Sequence, residues 1–294
     1  MTANIHIDCD PLWVYASEYG EAPDYTDARI YEESLPRLAE LLEAWGLRGT
    51  FFLIGREVQL PACRRFVERA LRAGHEIANH TQSHLQDLDS AGDETRRREI
   101  RDCHNNIESI FGYSCKGLRL PGYYFDDGIA STLDELGYQY DSSVLPGTAV
   151  YLMSAFYRLL NPAGAGKRFG RNWYLFARRS PYRIGDRCWE LPLATCPIFG
   201  TPVHSTFVFQ WGTRYLRASM ALSRALRSHM VYLFHAIDLL DGQNAGPLQR
   251  SVGTLRVPLA VRLHAMKLIL GGLTRGSVLP TGEFLARLTA QARA

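Results

Sequence analysis

Short apolar runs alternate with amphipathic helical stretches through the first half of this chain, and that alternation constrains the fold most strongly. Strands separated by helices favour parallel pairing, with the helices packed outside the sheet. The sequence therefore predicts an α/β fold, an irregular (β/α) barrel of about seven parallel strands, with functional residues at the carboxyl ends of the strands. The predicted strands are residues 4–10, 49–54, 75–79, 117–120, 138–142, 189–192 and 230–235. The predicted helices are residues 34–45, 62–72, 94–111, 126–136 and 213–228, the first with Ser34 as its N-cap.

The second half of the chain departs from this regular pattern. Residues 146–185 predict an inserted segment rich in basic and aromatic side chains, and residues 250–294 predict a C-terminal amphipathic region. No internal repeat, low-complexity tract or flexible linker divides the chain. The sequence therefore predicts one catalytic domain over residues 1–294.

The net charge of +3 conceals a strong asymmetry between the two halves. Residues 1–141 carry 14 Lys and Arg against 25 Asp and Glu, whereas residues 142–294 carry 19 against 5. Basic residues interleaved with aromatic ones suit an anionic membrane surface, although a solvated basic face has the same composition. The candidate membrane contacts are Arg171, Trp173, Arg178 and Arg179, and residues 254–274 predict a second interfacial helix.

The beginning of the sequence and its cysteines bear on location. Residues 1–10 lack the basic and apolar regions of a secretory signal, and six scattered cysteines without a C-x-x-C pair suit a reducing compartment. The most apolar late stretch, residues 257–273, is interrupted by Arg262, His264 and Lys267, so no transmembrane helix is predicted. These features predict a cytoplasmic location, and the absence of a recognised binding module predicts no nucleic-acid partner.

Two clusters of polar residues point to a metal site. Asp8 and Asp10 share one face of the first predicted strand, where two nearby carboxylates repel each other unless a positive charge lies between them. His80 and His84 follow the third predicted strand at metal-ligand spacing, and a single helical turn would bring their imidazoles side by side. The combination predicts a site of two histidines and one carboxylate with open coordination positions.

Six motifs occur in the order in which the polysaccharide deacetylases carry them. They are D-C-D at 8–10, H-T-Q-S-H at 80–84, R-L-P-G at 119–122, Y-D-S-S-V at 140–144, W-E-L-P at 189–192 and L-F-H at 233–235. In these motifs the chain resembles that family, also called the NodB-homology fold or carbohydrate esterase family four. The resemblance implies a NodB-like barrel and a metal-dependent hydrolase that removes an N-acyl group, acetyl or formyl, from an amino sugar.

The resemblance also implies a role for each motif residue. Asp8 would be the catalytic base with Arg119 as its partner, and His235 the general acid. The implied metal ligands are Asp10, His80 and His84. The implied substrate or oxyanion contacts are the backbone N–H of Gly122 or Tyr123, with Asp238 near the substrate. Zinc is the expected divalent ion, with cobalt, nickel, manganese and iron as alternatives.

Two positions depart from the common family pattern. Cys9 separates two aspartates that are usually adjacent, and this D-x-D resembles the branch that contains lipid-linked sugar deformylases. Gly122 stands where the third motif usually has tyrosine.

The expected substrate is a small or lipid-linked N-acyl amino sugar, carried on polyprenyl phosphate or another glycolipid, rather than an extracellular polymer. The expected place of action is the inner face of the cytoplasmic membrane. Two alternatives remain open: a non-haem iron oxygenase, whose usual all-β barrel conflicts with the β/α alternation, and a catalytically inactive membrane- or glycan-binding protein of the same fold. The residues carry no prediction of oligomeric state.

Overall fold

A curled, mostly parallel β-sheet forms the centre of the fold. The computed structural model describes residues 1–85, 87–88, 90–123, 127–147, 177–185 and 187–293, to which every structural statement here refers. The strands are β1 (Thr2–Asp8), β2 (Thr50–Leu53), β3 (Glu76–Asn79), β4 (Gly117–Leu118), β5 (Tyr140–Asp141), β6 (Tyr182–Ile184), β7 (Cys188–Glu190), β8 (His229–His235) and β9 (Ser277–Val278).

The strands follow the order β6-β7-β5-β4-β3-β2-β1-β8, and β9 pairs with the first residues of β1. All of these pairings are parallel except that of β6 with β7. Beyond β7 the chain forms a parallel bridge from Leu193 to Val231 of β8, which joins the two sides of the curled sheet. The predicted α/β fold of mainly parallel strands is confirmed.

Helices cover the outside of the sheet. They are α1 (Leu12–Glu18), α2 (Leu35–Ala44), α3 (Pro61–Arg72), α4 (Asp93–Phe111), α5 (Ala130–Glu135), α6 (Ser205–Trp211), α7 (Thr213–Ala225), α8 (Leu248–Ser251), α9 (Gly253–Arg256), α10 (Leu259–Leu273) and α11 (Thr281–Arg293). Helix α3 shows why they form: Pro61 occupies its first turn, where proline is tolerated, and Cys63, Phe66 and Val67 share the buried face. Burial of one such large apolar side chain contributes about 1.5–3 kcal/mol.

Two apolar cores result from the alternation of side chains along the strands. Ile5 and Ile7 of β1 face outward and pack in the core shared with the helices. Phe52, Leu191 and Val231 face inward and form a second core inside the barrel. Leu279, Phe284 and Leu285 join this inner core, so the start of α11 closes the amino-terminal end of the barrel.

The prediction that Ser34 caps α2 is wrong. Residues Ile30–Ser34 form a π-helical turn that runs directly into α2, and the Ser34 side chain caps nothing. Its hydroxyl instead donates to the carbonyl oxygen of Ala236 and accepts from the backbone N–H of Leu239 at 3.2 Å. Ser34 therefore ties the start of α2 to the loop that follows β8.

Candidate metal centre

The carboxyl ends of four strands of the sheet, β8, β1, β3 and β4, carry predicted site residues. Asp8 ends β1 and pairs in register with His235, the last residue of β8. His80 directly follows β3, and Arg119 directly follows β4. Because parallel strands end at the same edge of a sheet, residues far apart in sequence meet there, as they do in barrel enzymes.

Asp10, His80 and His84 converge on one point at this edge. The Asp10 Oδ1 atom lies 3.3 Å from His80 Nε2 and 3.4 Å from His84 Nε2. All three side chains are buried, and one ligand atom from each lies within 4.8 Å of the other two. Asp10 Oδ1 is fully buried, yet it makes no hydrogen bond of acceptable geometry within the described part of the chain. A buried, unsatisfied carboxylate oxygen facing two imidazole nitrogens fits a divalent cation.

The His80 ring is held in the tautomer that a metal ligand requires. Its Nδ1 lies 2.7 Å from the backbone oxygen of Arg119. A carbonyl oxygen only accepts, so Nδ1 carries the proton and Nε2 presents its lone pair towards Asp10 and His84.

The segment from His80 to His84 is a bent loop, so the predicted helical turn is wrong. Thr81 and His84 both have left-handed backbones, with φ of 66° and 51°. The loop is anchored at both ends, because Asn79 Oδ1 accepts from Thr81 N at 2.7 Å and Glu99 Oε2 accepts from Ser83 N at 2.8 Å. The imidazoles are nevertheless neighbours, with ring centroids 5.0 Å apart. Non-glycine residues in this conformation are strained, a feature that is frequent at functional sites.

The electrostatics of the site favour an ionised Asp10. Burial alone would raise the pKa of Asp10, but the adjacent His84 and His80 imidazoles, together with His235, hold that pKa below its ordinary value. Burial lowers the pKa of His84. A carboxylate beside a neutral imidazole is the ligand form that binds a cation.

Arg119 pairs with Asp8 in the interior of the barrel. Its Nη1 donates to Asp8 Oδ1 at 2.7 Å, and its side chain is fully buried. The guanidinium also donates from Nε to the Ser142 carbonyl oxygen and lies over the Phe52 ring, 4.2 Å from its centroid. The structure thus brings together the predicted base and its predicted partner.

The loop after β8 holds His235 and Asp238. Asp238 is fully buried, and its Oδ2 accepts from the His235 backbone N–H at 2.9 Å. Arg262 of α10 braces this turn by donating to the carbonyl oxygens of Asp238 at 2.6 Å and Leu240 at 2.8 Å. Asp238 therefore shapes the loop from inside, and the structure does not place it as an exposed substrate contact.

The turn Pro121–Tyr123 follows Arg119 and has an unusual backbone. Gly122 and Tyr123 both have positive φ, 68° and 57°. Successive left-handed residues turn the chain tightly, and for Tyr123 this conformation carries strain that glycine avoids. The hydroxyl of Tyr123 has a pKa raised by burial and by the nearby Asp8 carboxylate. The turn that carries the predicted oxyanion residues begins two positions after Arg119, the partner of the predicted base.

His204 is a site residue that the sequence does not predict. It precedes α6, and its ring centroid lies 5.4 Å from that of His235. Burial, together with the charges of His235 and Arg119, lowers the pKa of His204 well below its ordinary value. No spacing signal connects two histidines 31 positions apart, because His204 reaches the site through the chain segment that leads from β7.

The structure describes only part of the predicted membrane surface. Arg178 and Arg179 are exposed, whereas Arg171, Trp173 and most of the predicted insertion lie outside the described residues. The apolar stripe of α10, which includes Met266, Ile269 and Leu270, is buried within the protein. The prediction of an interfacial helix at 254–274 is therefore wrong for that stripe. Among the helices of the described chain, none has the length and apolar character to cross a bilayer.

Comparison with known proteins gives matches over part of the chain. A family model described as polysaccharide deacetylase matches residues 24–140, a range that includes His80, His84 and Arg119. A curated peptidoglycan-N-acetylglucosamine deacetylase of Bacillus cereus is 32% identical over 126 residues, which is 43% of this chain and 54% of that protein. A second protein with that name and organism is 29% identical over 118 residues, which is 37% of this chain and 42% of that protein. The chain thus spans about half the length of the curated relatives it matches.

Solved structures match over almost the whole chain. A candidate polysaccharide deacetylase from Mycobacterium smegmatis superposes with a TM-score of 0.63 at 20% identity, covering 99% of this chain and 91% of that one. A pseudoenzyme of carbohydrate esterase family four from Bacillus anthracis superposes with a TM-score of 0.50 at 14% identity, covering 97% and 65%. At such identities these likenesses concern the fold alone. Residues 24–140 are therefore similar in sequence to the polysaccharide deacetylases, and the chain as a whole is similar in fold to the solved structures, findings that together support the NodB-homology superfamily.

Proposed function

We propose that this protein is a metal-dependent hydrolase that removes an N-acyl group from an amino sugar, with Asp10, His80 and His84 as the metal ligands. The observation that carries this proposal is the buried Asp10 Oδ1 atom, which faces two imidazole nitrogens and has no hydrogen-bond partner in the described chain. Zinc is the proposed ion because a site of two histidines and one carboxylate with open positions suits it.

Hydrolysis of an amide needs help at both ends of the scissile bond. A divalent ion held by these ligands supplies Lewis-acid polarisation of the acyl carbonyl and makes water a better nucleophile near neutral pH. Asp8, oriented by Arg119 at 2.7 Å, accepts the proton that water loses as its oxygen adds to the carbonyl carbon. Backbone N–H groups of the Gly122–Tyr123 turn are the candidate donors to the oxyanion.

His235 acts at the nitrogen end of the scissile bond. It stands at the end of β8, in register with Asp8 across the β1–β8 pair. We assign it the general acid that donates a proton to the departing nitrogen as the C–N bond breaks. The products are a free amino sugar and the carboxylic acid of the acyl group, acetate or formate.

The first substrate class to test comes from the relatives. Two of them are named peptidoglycan-N-acetylglucosamine deacetylases, so N-acetylglucosamine is the natural starting sugar. Within that class we propose a lipid-linked sugar, handled at the inner face of the cytoplasmic membrane. In support, Ile198 and Phe199 are 66% and 68% exposed at a chain turn. The guanidinium of Arg179 donates to the carbonyl oxygen of Pro197 in the same turn, so apolar and basic groups lie together there.

Mass spectrometry of acyl sugars incubated with the zinc-loaded protein tests the hydrolase. The substrates are N-acetylglucosamine oligomers and polyprenyl-phosphate-linked N-acetyl and N-formyl amino sugars, and the expected result is loss of the acyl mass from at least one of them. Intact substrates throughout, with zinc bound to the protein, would support instead an inactive glycan-binding protein of the same fold.

Flotation with anionic liposomes tests the membrane part separately. Wild-type protein should float with the vesicles at low salt and less at high salt, because exposed charges are screened. Replacement of both Ile198 and Phe199 by serine should reduce flotation, whereas Val261→Ser, also at an exposed apolar position (53%), should not. Equal flotation of all three proteins would remove the turn from the proposal and leave the hydrolase intact.

A further inference from the structure

A continuous hydrogen-bonded chain of polar side chains runs through the otherwise apolar interior of the barrel. It starts at Arg119, whose Nη2 lies 2.8 Å from His6 Nδ1. His6 Nε2 lies 3.1 Å from the hydroxyl of Thr281, and that hydroxyl lies 2.8 Å from the hydroxyl of Thr50. The Thr50 hydroxyl donates to Glu76 Oε2 at 3.0 Å. The chain therefore connects the site at the carboxyl ends of the strands with their amino-terminal ends.

The directions of the bonds in this chain are set from its two ends, by the Arg119 guanidinium and by the donation from Thr50 to Glu76. A guanidinium only donates, so His6 Nδ1 accepts and carries no proton. His6 is then a neutral imidazole with its proton on Nε2, which donates to Thr281. Thr50 donates to the Glu76 carboxyl group, so its single proton is used and the Thr281 hydroxyl is the donor to Thr50. Each hydroxyl accepts once and donates once, so the assignment is complete.

The surroundings of His6 support a neutral ring. Its side chain is fully buried, packed 5.0 Å from the Phe52 ring and 6.0 Å from the Tyr140 ring, measured between centroids. Burial and the charge of Arg119 both lower the pKa of His6 well below its ordinary value. A cationic ring at this position would also face the Arg119 cation without an intervening acid.

His6 helps to fix the orientation of the Arg119 guanidinium. The Nη2 atom is shared between His6 Nδ1 and Ser142 Oγ, each at 2.8 Å, and Nε is bound by the Ser142 carbonyl oxygen. These contacts leave Nη1 directed at Asp8. Without His6, one N–H of a buried cation would lose its acceptor, and the guanidinium could rotate away from Asp8.

We propose that His6 is a positioning residue, locked as the Nε2–H tautomer by Thr281, which orients Arg119 and through it the base Asp8. Thr281 is the first residue of α11 and is 2% exposed. The C-terminal helix therefore belongs to the apparatus that positions the base, although it lies at the opposite end of the barrel. This inference rests on the proposed hydrolase, but the state of His6 is measurable without any turnover.

Two-bond proton–nitrogen NMR spectra of the ¹⁵N-histidine-labelled protein test the tautomer directly. We expect His6, assigned by comparison with His6→Phe or His6→Asn, to show a protonated Nε2 and an unprotonated Nδ1. The His6 tautomer should be the same in the zinc-loaded protein with and without a substrate. A protonated Nδ1, or a doubly protonated ring at neutral pH, would overturn the proposal because neither form accepts a hydrogen bond from Arg119.

Kinetics of paired variants test the positioning role. His6→Phe keeps the ring and removes the acceptor, so kcat should fall roughly 10- to 100-fold, with KM and zinc stoichiometry nearly unchanged. His6→Asn supplies a carbonyl oxygen near the position of Nδ1 and should recover part of kcat. An unchanged kcat in His6→Phe, or equal losses in the Phe and Asn variants, would overturn the proposal.

The role of Thr281 is tested in the same way, with variants in the C-terminal helix α11. Thr281→Val should lower kcat and disturb the His6 resonances, and Thr281→Ser should restore both because it keeps the hydroxyl. Thr289→Val, further along the same helix, is the matched control. A kcat and His6 spectrum in Thr281→Val identical to those of the control would refute the link to α11. Absence of turnover in the wild-type protein, with the Nε2–H tautomer observed, would count against the proposed hydrolase only.

Discussion

Glu57 is a buried carboxyl group whose ionisation should control how the stability of this protein depends on pH. Its side chain is 1% exposed, and its Oε1 accepts from the Trp13 indole N–H at 2.9 Å. Its Oε2 is buried without a hydrogen-bond partner in the described structure. Burial raises the pKa of Glu57 from 4.5 to about 7, against the opposing effects of the Trp13 hydrogen bond and the Arg56 charge.

The raised pKa fixes both the sign and the size of the effect. The folded protein holds the proton more tightly than the unfolded chain, so this stabilisation is complete below the unfolded pKa of 4.5 and is lost as pH rises through about 7. The difference between 4.5 and about 7 corresponds to about 3.5 kcal/mol, because each tenfold change in proton affinity is worth roughly 1.4 kcal/mol. Roughly 2.5 kcal/mol of that loss falls between about pH 5 and about pH 8.5.

Glu57→Gln removes the titration while keeping an acceptor for Trp13. The variant should therefore exceed the wild type in free energy of unfolding by an amount that grows with pH, increasing by roughly 2.5 kcal/mol over that interval. Urea unfolding followed by circular dichroism at several pH values measures it. The control is Glu21→Gln, an exposed glutamate beyond α1, whose curve should parallel that of the wild type. Parallel curves for Glu57→Gln and the wild type would refute the reasoning, because Glu57 would then titrate alike in both states.

Three further predictions concern the site and its support. Asp8→Asn should lower kcat by on the order of 10²- to 10⁴-fold with zinc stoichiometry unchanged, and equal turnover would remove Asp8 as the base. His84→Gln should weaken zinc binding by on the order of 100-fold in a competition titration, and wild-type affinity would exclude His84 as a ligand. Arg262→Met should lower the free energy of unfolding by about 3 kcal/mol in urea, because buried carbonyl oxygens lose their donor. A change near zero would show that water satisfies those oxygens equally well.

Much of the fold follows from the sequence pattern, because the decisive forces are local. The buried stripe of α2 is visible as leucines at helical spacing, and the outward Ile5 and Ile7 of β1 alternate with inward polar residues. These features depend on periodicity, which one sequence displays directly.

The site was predictable in its composition but only partly in its geometry. The spacing of His80 and His84 indicates a shared ligand role, yet Thr81 and His84 have left-handed backbones in a loop that a local bond to Asn79 and a distant bond from Ser83 to Glu99 hold in place. Residue preferences would not assign that conformation to threonine, which is β-branched. The predicted helical turn is therefore wrong, although the prediction that the His80 and His84 imidazoles are neighbours is correct.

Contacts between distant parts of the chain were not predictable from a single sequence. Serine is a common helix cap, but the Ser34 hydroxyl makes its hydrogen bonds with backbone groups of the loop after β8. His6 and Thr281 are 275 positions apart and meet only because α11 closes the barrel. Nothing in the local sequence around either residue signals that partner, so their connection to Arg119 emerges only from the structure.

Zinc-dependent acyl release is the decisive measurement for the proposed hydrolase. The protein is stripped of metal, reloaded with one equivalent of zinc, and assayed for acetate or formate release from N-acyl amino sugars, alongside Asp8→Asn prepared identically. We expect release by the zinc-loaded wild type, none by the stripped protein, and loss of release in Asp8→Asn despite bound zinc. Equal release by the stripped and reloaded proteins, or by Asp8→Asn and the wild type, would contradict it.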